Sequence, residues 1–259
     1  MAKFFNRYRK AIGLTIVLLL ASGLLHARTK AGDWELVKED QGNDIVVYYR
    51  TLESGNVEFR GITHLRTSLS SFIALLQDFK TLPEWAYRTD KVVTLRQTNS
   101  TEAYVYTIHP MPWPFMPRDS VLLSRIDQNP QTFAVTVKGR AVPDYIPLND
   151  DYVRIISGES FWQLTPIGED TIEVVFQGYG EPGGSLSESV FTSAIFRSLV
   201  KIYLWKLPYK TLKGMRHHIQ NEKYQKKRFN FIQEPPQRVM SQASNQKKRI
   251  QKSESRSQN

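Results

Sequence analysis

The 259-residue sequence contains no cysteine. That excludes disulfide scaffolds, thiolate nucleophiles, cysteine-ligated zinc and iron–sulfur centres. It does not fix the compartment, since exported proteins without disulfides are common. Histidine is sparse, with five residues at 26, 64, 109, 217 and 218. No two have the four-residue helical spacing of a zinc protease, and the neighbours His217 and His218 diverge on a helix. A glycine-rich phosphate cradle is missing. Gly183-Gly184-Ser185 lacks the flanking glycine of a hydrolase nucleophile elbow. Acids inside strand-like runs, such as Glu159 and Glu173, fit the solvent face of an alternating strand better than a general base. No apolar run reaches the roughly 20 residues of a spanning helix. Acids are absent from residues 1–30, which carry six Lys/Arg.

What is present divides the chain in three. The net charge is +10, but residues 221–259 hold ten Lys/Arg against three Asp/Glu. The remaining 31–220 carries 19 basic and 22 acidic residues, a net of −3. The basicity belongs to the two ends, which argues against a folded nucleic-acid-binding domain. A body of about 190 residues is large enough for one domain with a real core. The whole chain's 41% hydrophobic and 12% aromatic content reads as globular.

At the N-terminus, Lys3, Arg7, Arg9 and Lys10 precede an apolar run from Ala11 to Leu25 and then His26-Ala27-Arg28. This is the order of a secretory signal. Residues 1–27 are expected to export the body to the periplasm or envelope. Leu25 is not the small residue preferred before a cut after Ala27, so an uncleaved N-terminal anchor is the alternative. Residues 221–259 read as a basic, disordered tail. Phe229, Phe231 and Ile232 beside Lys226, Lys227 and Arg228 suit attraction to anionic lipid headgroups, at about 1 kcal/mol per basic residue. A solvated tail without a partner is the other reading.

Within the body, residues 33–39 begin with a capping aspartate and read as a short amphipathic helix. Residues 45–50 and 57–65 read as a strand pair around Glu53-Ser54-Gly55-Asn56. Leu69, Phe72, Ile73, Leu76 and Phe79 recur at helical spacing. Leu82-Pro83-Glu84-Trp85-Ala86 is a short helical turn, with proline suited to its start. Six strands follow, at 91–97, 102–109, 118–127, 132–140, 152–164 and 170–178, joined by short turns as an antiparallel meander. After Gly183-Gly184, Ser185 and Glu188 form a capping box, and a long helix runs to about 220, interrupted or kinked at Pro208.

One helix over a curved sheet leaves a cavity if the sheet does not fill the gap. Tyr104 and Tyr106, Phe176, and Ile195, Leu199 and Ile202 on the helix are the candidate lining residues. For each of these the competing reading is ordinary core.

Three stretches carry a family resemblance: WELVKEDQGNDIVVYYR (34–50), the strand end His109 followed by PMPWPFMPRDSVLL (110–123) with Trp85 upstream, and GYGEPGGSLSESVF (178–191). The segment from Trp34 to about His218 resembles the steroidogenic-acute-regulatory-related lipid-transfer (START) family, most of all its bacterial branch. The resemblance implies an α+β helix-grip fold: a curved antiparallel sheet around a long C-terminal helix over an internal hydrophobic cavity. It implies non-catalytic binding, and transfer between membranes, of a single lipid, within a domain spanning 31–220. The alternative is a helix-grip enzyme of cyclase or hydrolase type with a hydrophobic substrate. Trp85, Leu122 and Ser124 join the implied lining. Loop 110–117 corresponds to the tunnel mouth, where Trp113 and Phe115 either meet a membrane or pack inward. Arg118 and Asp119 read as a structural charge pair or loop anchor. In sterol-binding animal members an arginine six positions after the motif arginine faces the cavity. Here that place is Ser124, and Arg125 points to the other face unless a bulge intervenes. The expected partners are a lipid ligand and a membrane surface, with no nucleic acid, no metal and no cofactor, for a monomer.

Overall fold

The computed structural model describes residues 32–111, 113, 115–181 and 205–236. The hairpin read at 45–65 is β2 (Ile45–Thr51) and β3 (Val57–Arg66), turning through Gly55 at φ 83°. Helix α1 (Leu69–Gln77) starts where Ser68 accepts a hydrogen bond from Ser71 N. Helix α2 (Leu82–Trp85) follows with proline in its first turn. The meander is β4 (Lys91–Asn99), β5 (Glu102–His109), β6 (Arg118–Gln128), β7 (Val135–Ala141), β8 (Val153–Arg154), β9 (Ser157–Gly168) and β10 (Thr171–Glu181). Helix α3 (Lys206–His218) and a single turn α4 (Glu222–Gln225) end the described chain. Pro208 stands in the first turn of α3, where its missing N–H costs nothing. The capping box at 185–188 and the helix before 205 lie outside the described residues.

Two expectations are corrected. Residues 35–40 form β1 (Glu35–Asp40), an edge strand on β2, not a helix. Pairing with β2, and the Tyr49 hydroxyl donating to Glu35 at 2.5 Å, outweigh a short local helical pattern. The strand read at 152–164 is two: β8 pairs in parallel with the start of β6, and β9 begins at Ser157.

The sheet order is β1-β2-β3-β10-β9-β7-β6-β5-β4, with β8 off this path. The N-terminal hairpin is thus joined to the far end of the meander through β3 and β10. This is the curved antiparallel sheet of a helix-grip fold. Both edge strands carry register shifts, which blunt them as templates for further pairing.

Which sheet face is inside follows from Gly61. A Cβ there would come within 2.7 Å of Leu212 Cδ1 and 3.2 Å of Pro208 Cβ. Glycine lets α3 lie directly on the sheet, and every second residue from Gly61 across the ladders shares that inner face. The upper end of the sheet is where β5 passes into β6 through 110–117. The lower end is where β6 turns into β7.

The expected tail does not begin at 221. Tyr224 and Ile232 are buried, and Phe229 and Phe231 pack on the same core. The Glu234 carboxylate accepts from Leu69 N at 3.1 Å and Ser70 N at 2.8 Å, placing negative charge at the start of α1. The apolar residues read as lipid-seeking are therefore core residues. Residues 237–259 lie outside the described ones.

Candidate ligand-binding site

The inner face changes character along the strands. In its lower half, neighbouring strands contribute Ile126, Val137, Trp162 and Phe176, all buried. Trp162 stacks on Phe176 at 4.1 Å, and Trp85 meets it edge-on at 6.3 Å. Phe72 from α1 closes on Trp162 at 5.9 Å. This half is filled.

The next row up is Ala103, Ser124, Gly139, Ser160 and Gly178, in register across five strands. Above it come Val105, Leu122 and Ala141, with Gly158 opposite Gly180. The first of these tiers is small throughout and the second is small on β7, β9 and β10, so the sheet lies low across those strands where the tier beneath is tall. Gly178 has no choice: a Cβ would come 2.7 Å from the Glu159 carbonyl. Ser124 and Ser160, half-buried, bring hydroxyls to this floor. Between α1 and strands β5 to β7 a crevice of about 20 Å³, room for one water, is lined by Leu76, Ala103, Ser124, Ile126 and Val137 among others. A wider hollow of about 520 Å³ beside Ser100 and Arg228 to Phe231 lies at the lower end, away from this floor.

The upper rim is polar. Thr107 faces Ser120 and His109 faces Arg118 across β5 and β6. His109 Nε2 lies 3.1 Å from Ser120 Oγ and Nδ1 3.3 Å from the Arg88 carbonyl. A carbonyl only accepts, so Nδ1 carries the proton of that bond and Nε2 accepts from the serine. Burial pushes the imidazole pKa down, against the Arg88 carbonyl and the Asp119 charge. An imidazole kept neutral stabilises the fold above the unfolded-state value near 6.5, and the contribution is lost as pH falls below it. Wild-type protein should therefore lose urea resistance between about pH 7.5 and 5. His109→Gln should flatten that difference; an unchanged slope would show that the ring is solvated.

The sequence-derived candidates divide. Trp85 and Phe176 are on the inner side, as part of the filled lower half. Leu122 and Ser124 are on the floor above it. Tyr104 and Tyr106 are corrected: they point to the outer face. Tyr104 stacks on Tyr145 at 4.0 Å, and the Tyr106 hydroxyl donates to Asp119 Oδ2 at 3.1 Å. Burial and the Asp119 carboxylate push the Tyr106 pKa up to about 12. Their alternates Ala103, Val105 and Thr107 hold the inner positions. Ile195, Leu199 and Ile202 lie outside the described residues. Trp113 is exposed and Phe115 half-buried. Arg118 is buried and donates to the Met116 carbonyl at 2.5 Å. Asp119 pairs not with its neighbour but with Arg154, at 2.9 Å through each oxygen. Thr107, His109, Ser120 and Ser160 were missed. Counting by twos from Ser124 along β6 would have found Ser120.

A solved STAR-related lipid transfer protein from Xanthomonas axonopodis (fragment 25–204) is 30% identical, with a TM-score of 0.63 over 73% of this chain and 99% of that one. The chain belongs to the START family. An uncharacterized protein of Pseudomonas aeruginosa is 28% identical over 187 residues, 72% of this chain and 86% of its own. Human STARD10 shares the fold at 15% identity, with a TM-score of 0.56 over 70% of this chain and 72% of its own. No family model matches the chain.

In this START domain the place of the sterol-binders' cavity arginine is filled by Ser124. Register from Arg118 to Arg125 is continuous against β5, so no bulge turns Arg125 inward. Arg125 pairs instead with Glu102 at 2.5 Å on the outer face. The floor therefore offers a hydroxyl where those relatives offer a cation.

Proposed function

We propose that this START domain binds one hydrophobic lipid in the upper half of its inner face and carries it between membranes, with no bond made or broken. The observation that carries this reading is the floor of small residues, Ala103, Ser124, Gly139, Ser160 and Gly178 with Ala141, Gly158 and Gly180 beyond, above a filled aromatic base and below a polar rim. A lipid chain of about 15 methylenes, at roughly 0.8 kcal/mol each, meets an upper-bound barrier of about 12 kcal/mol on crossing water. An apolar lining that replaces the membrane interior removes most of that cost. Residues 1–27 export the protein to the periplasm or envelope, where it acts as a monomer, and Trp113 at the mouth meets the membrane. Nucleic acid, metal and cofactor have no place in this scheme.

A second reading has one observation in its favour. The Ser120–His109 contact, with the ring oriented by the Arg88 carbonyl, is the arrangement a serine nucleophile needs. Burial of Ser120 speaks against it. Mass spectrometry of the protein purified gently from its native envelope separates the two. A stoichiometric intact lipid, released by solvent, is the expected result, with an intact mass lacking residues 1–27. An empty protein would overturn the carrier reading. Turnover of a p-nitrophenyl acyl ester that stops in Ser120→Ala would establish the enzyme instead.

A further inference from the structure

Large apolar side chains left in water gather at the upper end. Trp113 is 93% exposed, Leu148 74%, Ile156 59% and Met116 47%. Trp113 and Met116 belong to loop 110–117. Leu148 and Ile156 belong to the segment between β7 and β9, and the two segments are fastened together. Val153 N donates to the Pro117 carbonyl at 3.0 Å and Ile155 N to the Asp119 carbonyl at 2.8 Å. Arg154, held on Asp119, also donates to the carbonyls of Pro143, Ile146 and Pro147 at 2.5, 3.3 and 3.2 Å. One exposed leucine is ordinary. Four such residues from two joined segments at one end mark a contact surface.

We propose that this end is a bilayer contact in which residues 143–156 insert beside loop 110–117, and that its partner is a neutral, zwitterionic lipid surface. The proposal extends the carrier reading and rests on the mouth lying at this end. Two observations select a bilayer and its charge. Tryptophan favours the membrane interface, where its ring is half apolar and half polar. The inserting segment carries Asp144, Asp150 and Asp151, while the single cation of 143–156, Arg154, is neutralised by Asp119. Anionic headgroups are therefore not drawn to it.

The absence of cysteine makes the test direct, because one introduced thiol is the only site a maleimide label can take. Full-length protein carrying Leu148→Cys, Ile156→Cys or, as a lower-end control, Ser100→Cys is labelled with an environment-sensitive fluorophore and placed on phosphatidylcholine vesicles. Labels at 148 and 156 are expected to shift to the blue and be quenched at least threefold by spin-labelled lipid, unchanged in 0.5 M salt, while the label at 100 stays aqueous. Aqueous labels at 148 and 156 would overturn the proposal. So would a response that needs phosphatidylglycerol and vanishes in salt, which assigns the contact to the tail. Lipid content is measured on the same samples: ligand retained with aqueous labels removes the docking surface alone, whereas ligand absent with quenched labels removes the carrier reading alone.

Discussion

With Ser124 and Ser160 both replaced by phenylalanine, the protein is expected to stay folded, with a thermal midpoint close to wild type, and to come out of the envelope without its lipid. Both serines stand in the row of small residues above Trp162 and Phe176, and both are half-buried. If the volume in front of them belongs to a ligand, two aromatic rings occupy it and replace the ligand's apolar contacts. If it is instead filled by the protein's own side chains, each ring overpacks a core at about 1–3 kcal/mol. For a body of this size about 2–4 °C follows each kcal/mol, so the double variant would then lose about 4–24 °C. Thermal unfolding and lipid extraction together decide the matter. A folded, lipid-free variant supports the chamber; a strongly destabilised variant shows a solid core; a folded variant with full lipid content moves the ligand elsewhere.

Arg154→Leu should be among the most damaging single changes on the outer face. The Asp119–Arg154 pair is closed from water, with side-chain exposures of 1% and 3%. Removing the arginine leaves a carboxylate buried without its cation, and also frees three carbonyls that it holds. Breaking such a pair costs about 3–5 kcal/mol. That corresponds to a fall of roughly 10 °C. Asp119→Leu with Arg154→Leu should recover part of the loss, since neither charge is then stranded. Urea unfolding of the two variants and wild type measures both. A loss under about 1 kcal/mol for the single change would mean that the pair is solvated in solution, as surface pairs are.

The elements most readable in the sequence were those written locally. The 3–4 spacing that begins at Leu69 survives in α1, which ends at Gln77, two residues before Phe79. Turn residues such as Asp127 to Pro130 and Ile167 to Asp170 punctuate the strands where the chain does turn. β1 was misread because a six-residue edge strand takes its shape from its partner, here β2. The tail boundary was misread because Tyr224, Phe229, Phe231 and Ile232 are scattered among charges, with no period to reveal that they share a core.

By itself, then, the sequence determined the alternation along each strand, the positions of α1 and α2, the charge division between body and ends, and the family, through its Pro-rich loop and Arg118-Asp119. These rest on neighbours within a few residues. It could not determine which of the two alternating faces is inward. Alternation alone does not separate Tyr104 and Tyr106 from Ala103, Val105 and Thr107. The choice is made by Gly61 and Leu212, which meet only when α3 lies on the sheet. Nor could it pair Asp119 with Arg154, 35 residues on, or set Ser124 beside Gly139 and Ser160. Those neighbours are made by strand pairing and by closure of the helix over the sheet, and only the folded chain brings them together.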